Sequence, residues 1–170
     1  MTIHIGIIGA GRIGKVHAEN LATRVANARV LAIADPAAAE AQQTASRLGI
    51  PFALTDYQEI LDNPDIQAVV ICSSTDTHAR LITEAARAGK HIFCEKPIAF
   101  DLRAIDGALE AVAQAGVKLQ IGFNRRFDPN YARVRQAVMA GEIGEPHLLH
   151  IISRDPAPPP PAYVSVSGGM

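Results

Sequence analysis

The 170-residue chain contains no tryptophan, only two cysteines and 5 % aromatic residues, and its 16 basic and 17 acidic side chains leave a net charge of −1. Each shortage excludes something. Cys72 and Cys94 stand alone, without metal-ligand spacing, each near the end of an apolar strand pattern. They read as reduced core residues, with no metal site and no disulfide framework. Balanced charge offers no basic footprint for nucleic acid or an anionic membrane. No apolar run approaches the roughly 20 residues that cross a bilayer. The first strand pattern opens at residue 3, which leaves no room for a signal peptide and points to the cytoplasm. What remains is an ordinary globular composition, 48 % hydrophobic and 19 % charged, long enough for one full domain and part of a second.

The most informative stretch comes first. Ile3 to Ile8 is an apolar, β-branched run that reads as a buried parallel strand. It stops at Gly9, and a helical pattern begins near Arg12 with Ile13, Val16, Leu21 and Val25 on one side. Between them lies G-x-G-x-x-G, formed by Gly9, Gly11 and Gly14. Gly9 permits the tight turn, Gly11 lets a pyrophosphate approach the backbone, and Gly14 lets the helix pack closely on the strand. The helix N-terminus, with Arg12 and Ile13 in its first turn, offers free N–H groups to the phosphates. A second strand, Val30 to Ala34, ends in Asp35, where a ribose-binding acid belongs. A carboxylate there accepts hydrogen bonds from ribose hydroxyls and repels a 2′-phosphate. Pro36 follows, with no arginine beside it, so NAD is expected over NADP. The alternative role for Asp35 is an N-cap for the helix that follows.

The pattern then alternates. A helix over 37–48 closes at Gly49; a short strand at 51–54 and a small helix at 56–61 follow. Ala68 to Cys72 is a fourth strand, apolar throughout, leading into a helix that stops near Gly89. His91 to Cys94 is a fifth strand. A helix from Phe100–Asp101 aligns Leu102, Ile105, Leu109 and Val112 and ends at Gly116, and residues 117–122 make a sixth strand. Six strands alternating with helices predict an α/β doubly wound parallel sheet, a Rossmann NAD-binding domain over 1–123. From Asn124 the character changes: a helix over 130–140, a strand over 147–153, a proline-rich segment over 155–161 and a strand over 163–167. Residues 124–170 read as the start of a second, incomplete α+β domain, or as a tail folded back on the sheet.

Three further stretches fall at carboxyl ends of strands, where ligands bind. Ser73, Ser74 and Thr75 either bond the cofactor or cap the helix they precede. His78, one turn into that helix, either faces the site or packs. Glu95 and Lys96 precede Pro97; desolvated, Lys96 would suit proton transfer, and as a cation it would bind a substrate hydroxyl, while the residues alone favour an ordinary surface lysine. Asn124 and Arg126 follow the sixth strand and either border the nicotinamide or serve as cap and surface charge.

Gly9 to Gly14, Glu95-Lys96-Pro97 and Gly122-Phe123-Asn124-Arg125-Arg126-Phe127 together resemble the glucose–fructose oxidoreductase/inositol dehydrogenase (Gfo/Idh/MocA) family. Residues 153–159 look most like its inositol 2-dehydrogenase branch. The resemblance implies NAD-dependent oxidation of a ring hydroxyl in a cyclic polyol or sugar, with Lys96 as the catalytic lysine. It also implies Ser73, Thr75 and Asn124 near the cofactor and a cis peptide before Pro97. Family members are about twice this length and assemble as homo-oligomers through a large open sheet. An aspartate and a histidine that follow a Gly-Gly pair like Gly168-Gly169 join the lysine at the substrate; neither is present here. The expectation is a chain that binds NAD far better than it turns over a polyol, since loss of a positioned base costs about 10²- to 10⁴-fold. The alternatives are a non-catalytic NAD(H)-binding module and an inactive truncated product.

Overall fold

A computed structural model describes residues 1–154 and 157–158. Six strands, β1 (Ile3–Ile8), β2 (Ala28–Ala34), β3 (Phe52–Leu54), β4 (Ala68–Ile71), β5 (His91–Cys94) and β6 (Leu119–Ile121), form one sheet in the order β3-β2-β1-β4-β5-β6. Every pairing is parallel. The order reverses between β1 and β4, the switch point at which a crevice opens beyond the carboxyl ends of the strands.

Parallel strands need covering on both faces, and the helices divide accordingly. Helices α1 (Arg12–Thr23) and α2 (Ala38–Leu48) cover one face, over a core of Ile5, Ile7, Val30, Ile33 and Val70. Helices α3 (Gln58–Asp62), α4 (Thr75–Arg87) and α5 (Leu102–Ala115) cover the other, over Ile8, Val69, Ile71, Ile92 and Cys94. Gly49 and Gly116 end α2 and α5 in the left-handed conformation, φ 67° each, as the sequence pattern requires. Asp101 caps α5 by accepting the Ala104 N–H at 3.2 Å.

The helix faces follow expectation in part: Ile13 and Leu21 of α1 and Val112 of α5 are half-buried against the core. In α1 the buried positions are Gly14 and Ala18; Val16 is half exposed, and Val25 lies past the end of the helix. In α5 the buried pair is Ala108 and Ala111, while Leu102 is 75 % exposed and Leu109 is 43 % exposed. α5 packs on α4, and its Ala108 and Ala111 share one buried cluster with Ala85 and Ala86, small side chains that suit a close approach of the two helices.

Beyond β6, a 3-10 turn (Asn124–Phe127) leads into α6 (Pro129–Met139), capped by Asp128, whose carboxylate accepts the Asn130 and Tyr131 N–H groups. No residue of α6 is buried. The strand expected over 147–153 is not formed: those residues carry no helix or strand, and Leu148, Leu149, Ile151 and Ile152 are exposed. An apolar run becomes a strand only where it pairs, and this one does not pair with the open outer edge of β6, the last strand of the sheet. The strand expected over 163–167 and the Gly168-Gly169 pair lie outside the described residues.

Ile71 is fully buried in a central strand. Ile71→Ala is expected to destabilise the fold by about 2–5 kcal/mol, whereas Leu102→Ser stays within about 0.5 kcal/mol. Urea unfolding followed by circular dichroism measures both, and equal losses would contradict this assignment of faces.

Candidate functional site

The glycine loop sits at the switch point and is shaped by close backbone approach. Gly9 has φ 103°, and a Cβ there would stand 2.7 Å from the carbonyl of Cys72, just past β4. A Cβ on Gly14 would lie 2.0 Å from the Gly9 carbonyl oxygen. Gly14 therefore accommodates the turn itself more than the strand behind it. Gly11 faces open space, with nothing within 4 Å of where a Cβ would project. That opening beside the first turn of α1, with Arg12 exposed and Ile13 half-buried, is the cradle a pyrophosphate needs.

Asp35, at the end of β2, ties this loop down. One carboxylate oxygen accepts the Ala10 N–H at 2.7 Å and the other accepts the Ala37 N–H at 2.9 Å. It does not cap α2, whose N-cap is Ala37 without a side-chain bond. A carboxylate has about four acceptor directions, so two remain for ribose hydroxyls. Asp35, Gly9 and Gly11 line a cleft of about 460 Å³, together with Thr55, Tyr57, Ser73, Ser74, Thr77 and Arg80.

In the loop after β4, Ser74 is the N-cap of α4 but makes no side-chain cap bond, and the Ser73 and Thr77 hydroxyls pair at 2.6 Å. Thr75 is half-buried in the first turn. His78 does not line the cleft. It is 1 % exposed, with Nδ1 2.7 Å from the Pro97 carbonyl and Nε2 3.1 Å from the Ser73 carbonyl. It packs, joining the loops after β4 and β5.

Lys96 follows β5 through a cis peptide to Pro97 and is exposed. The burial that would fit it for proton transfer is not provided by the described residues. Beside it Glu95 is half-buried: its carboxylate accepts His17 Nε2–H at 2.8 Å and the Lys96 N–H at 3.3 Å. His17 packs on Phe93, ring centroids 5.0 Å apart. Gly122 leaves room for this carboxylate, since a Cβ there would stand 3.1 Å from Glu95 Oε1. His17, Glu95 and Asn124 line a separate pocket of about 310 Å³; Arg126 is exposed outside it.

Sequence reasoning missed His17, Tyr57 and Arg80. For His17 a signal existed, a histidine one turn after Ile13 on the sheet-facing side of α1. Tyr57 and Arg80 carry no such signal, being ordinary residues of a short helix cap and an exposed helix surface. The two cysteines are free and buried. Burial, with the nearby Glu95 charge, pushes the Cys94 thiol up to about 12 and raises that of Cys72 further. Among the described residues no cluster of metal-ligating side chains occurs, and no helix is long and apolar enough to cross a membrane.

A parallel sheet with this glycine loop, an acid ending β2 and a cleft at the switch point is a dinucleotide-binding domain. The chain belongs to the Gfo/Idh/MocA oxidoreductases: residues 3–123 match that family, described as an oxidoreductase family with an NAD-binding Rossmann fold. It is 46 % identical over 168 residues to the myo-inositol 2-dehydrogenase of Thermotoga maritima, covering 99 % of this chain and 50 % of that protein. The crystal structure of a myo-inositol dehydrogenase from Corynebacterium glutamicum superposes with a TM-score of 0.89 at 41 % identity, over 99 % of this chain and 50 % of that one. A scyllo-inositol dehydrogenase from Lactobacillus casei, solved with NAD(H) and scyllo-inositol, gives 0.82 at 40 % identity, over 85 % and 43 %. The chain thus spans about half the length of the curated relatives it matches. NAD is the family's coenzyme, and the open cradle at Gly11 fits it.

Gly14→Ala is expected to cost about 3 kcal/mol and to abolish NADH binding, because the added methyl displaces the Gly9 carbonyl. Melting temperature and NADH fluorescence, measured on the same sample, check both. Cys72 and Cys94 are expected to resist a disulfide reagent at pH 8 in the native protein and to react fully once it is unfolded.

Proposed function

We propose that the protein is an NAD-dependent dehydrogenase that oxidises a ring hydroxyl of a cyclic polyol or sugar, as inositol 2-dehydrogenases do. The observation that carries this reading is the placement of Lys96. It stands at the carboxyl end of β5, on the same edge of the sheet as the glycine loop, with its backbone N–H directed to the Glu95 carboxylate. Bound NAD supplies a hydride acceptor. The chain's own residues do the rest: Gly9, Gly11 and Gly14 receive the pyrophosphate, Asp35 the adenosine ribose, and Ser73, Ser74, Thr75 and Asn124 border the cofactor. Lys96 hydrogen-bonds the substrate hydroxyl and assists removal of its proton.

Residues 1–123 form the dinucleotide-binding domain in this reading, and 124–170 begin a substrate and oligomerisation domain. The exposed apolar side chains of α6 and of residues 148–152 support that division, since Val134, Met139, Leu148 and Leu149 find no cover on the sheet. By themselves these 170 residues bind NAD better than they turn over a polyol, because Lys96 is exposed and an orienting wall is needed for efficient transfer. The second reading, a non-catalytic NAD(H)-binding module, is disfavoured by Lys96, for which a pure binder has no use.

A fluorescence titration with NADH, run beside NADPH, is expected to saturate with NADH at clearly lower concentration. Lys96→Met is expected to retain saturable NADH binding while inositol oxidation falls about 10²- to 10⁴-fold. An oxidation rate unaffected by the substitution would remove Lys96 from the chemistry. Absence of oxidation in both forms, with NADH bound, would favour the binding module.

A further inference from the structure

Asp35 and Arg80 are the acidic and the basic side chain that line the 460 Å³ cleft. No arginine stands beside Asp35 in sequence, yet the fold brings one to its cleft from α4. That guanidinium is already engaged. Arg80 Nη1 donates to the Tyr57 hydroxyl and to Glu84 Oε1 at 3.1 Å, and the Tyr57 hydroxyl donates to Glu84 Oε2 at 2.8 Å. The guanidinium also lies over the Tyr57 ring, 5.5 Å from its centroid. The three side chains close a ring of hydrogen bonds in which the tyrosine hydroxyl both gives and accepts.

We propose that Glu84, by holding Arg80 against Tyr57, is a second determinant of coenzyme choice, acting with Asp35 to favour NAD over NADP. This rests on the NAD-binding reading of the cleft. An arginine at the adenosine end of such a cleft is the group that accommodates a 2′-phosphate. Here a carboxylate one helical turn away offsets part of its charge, and Asp35 is the acid left unpaired by any basic side chain in the cleft lining. Its hydrogen-bond donors are directed to Tyr57 and Glu84, and a phosphate would have to displace both. Glu84 and Tyr57 therefore act through Arg80 and are positioning residues.

The cluster is at the edge of the cleft, with the Arg80 side chain 53 % exposed and that of Glu84 30 % exposed. Loss of the carboxylate therefore leaves the helix intact and frees a long, flexible side chain. A 2′-phosphate brings about two negative charges. At near-aqueous screening, one positive charge made available at about one Debye length from such a group, ~8 Å, is worth about three- to tenfold in affinity.

The test is titration of the 170-residue chain with NADH and NADPH at fixed ionic strength, for the wild type, Glu84→Gln and the double variant Arg80→Gln/Glu84→Gln. Glu84→Gln is expected to raise NADPH affinity relative to NADH about three- to tenfold, and the double variant to cancel that gain. Tyr57→Phe, which loses only the hydroxyl anchor, is expected to move the ratio the same way by less. A ratio unchanged in a Glu84→Gln protein of normal melting temperature overturns the proposal. So does a gain that persists in the double variant, which would trace it to a lost negative charge alone. Wild-type protein that does not saturate with NADH instead overturns the cofactor reading, and this inference with it.

Discussion

The constraint on which the structure depends is the contact between three backbone segments at the switch point. The turn after β1 passes within van der Waals distance of the chain leaving β4, and the first turn of α1 presses on that same turn. Side chains at Gly9 or Gly14 would occupy positions already filled by carbonyl groups. With both absent, β1 and β4 stay paired up to their last residues, Ile8 and Ile71, and the helix N-terminus lies directly over the crevice. The open space at Gly11 follows from this compression around it. A ligand cradle exists because the turn is too tight for anything but glycine on either side.

Two carboxylates hold the loops around that crevice, and both also belong to the candidate chemistry. Asp35 links the end of β2 to the glycine loop and to the start of the next helix. Glu95 links the end of β5 to His17 of α1 and accepts the Lys96 N–H. Each carboxylate is half-buried, so its hydrogen bonds are better protected from solvent than surface ones. Such groups place the residues on either side of them within a narrow range of positions. His78 does similar work from below, between the carbonyls of Ser73 and Pro97. The edge of the sheet where ligands bind is thus cross-linked by side chains, while its strands are held by the ladder alone.

The strands and their direction were legible because parallel strands buried on both faces read as nearly continuous apolar runs, as at Ile5–Ile8 and Ala68–Ile71. The glycine loop was legible because its residues serve local backbone geometry. Helix faces were less so. Leu102 and Leu109 share a helical stripe, yet α5 packs through Ala108 and Ala111, since a periodic pattern says that a face is apolar without saying how near its neighbour lies. Residues 147–153 form no strand although they are largely apolar, because strand formation depends on tertiary pairing and packing that a local pattern does not state.

From the amino-acid sequence came the fold class, the glycine loop with Asp35 as candidate site, and the family resemblance, each built on short runs of neighbouring residues. The tertiary structure alone decided which of the candidate residues meet. It buried His78 and left Lys96 exposed, it joined His17 to Glu95 across 78 residues, and it brought Arg80 to the cleft of Asp35. Those pairings depend on how the two helical layers sit on a twisted sheet. Contacts between distant segments are set by packing of the whole core, and no local pattern encodes them.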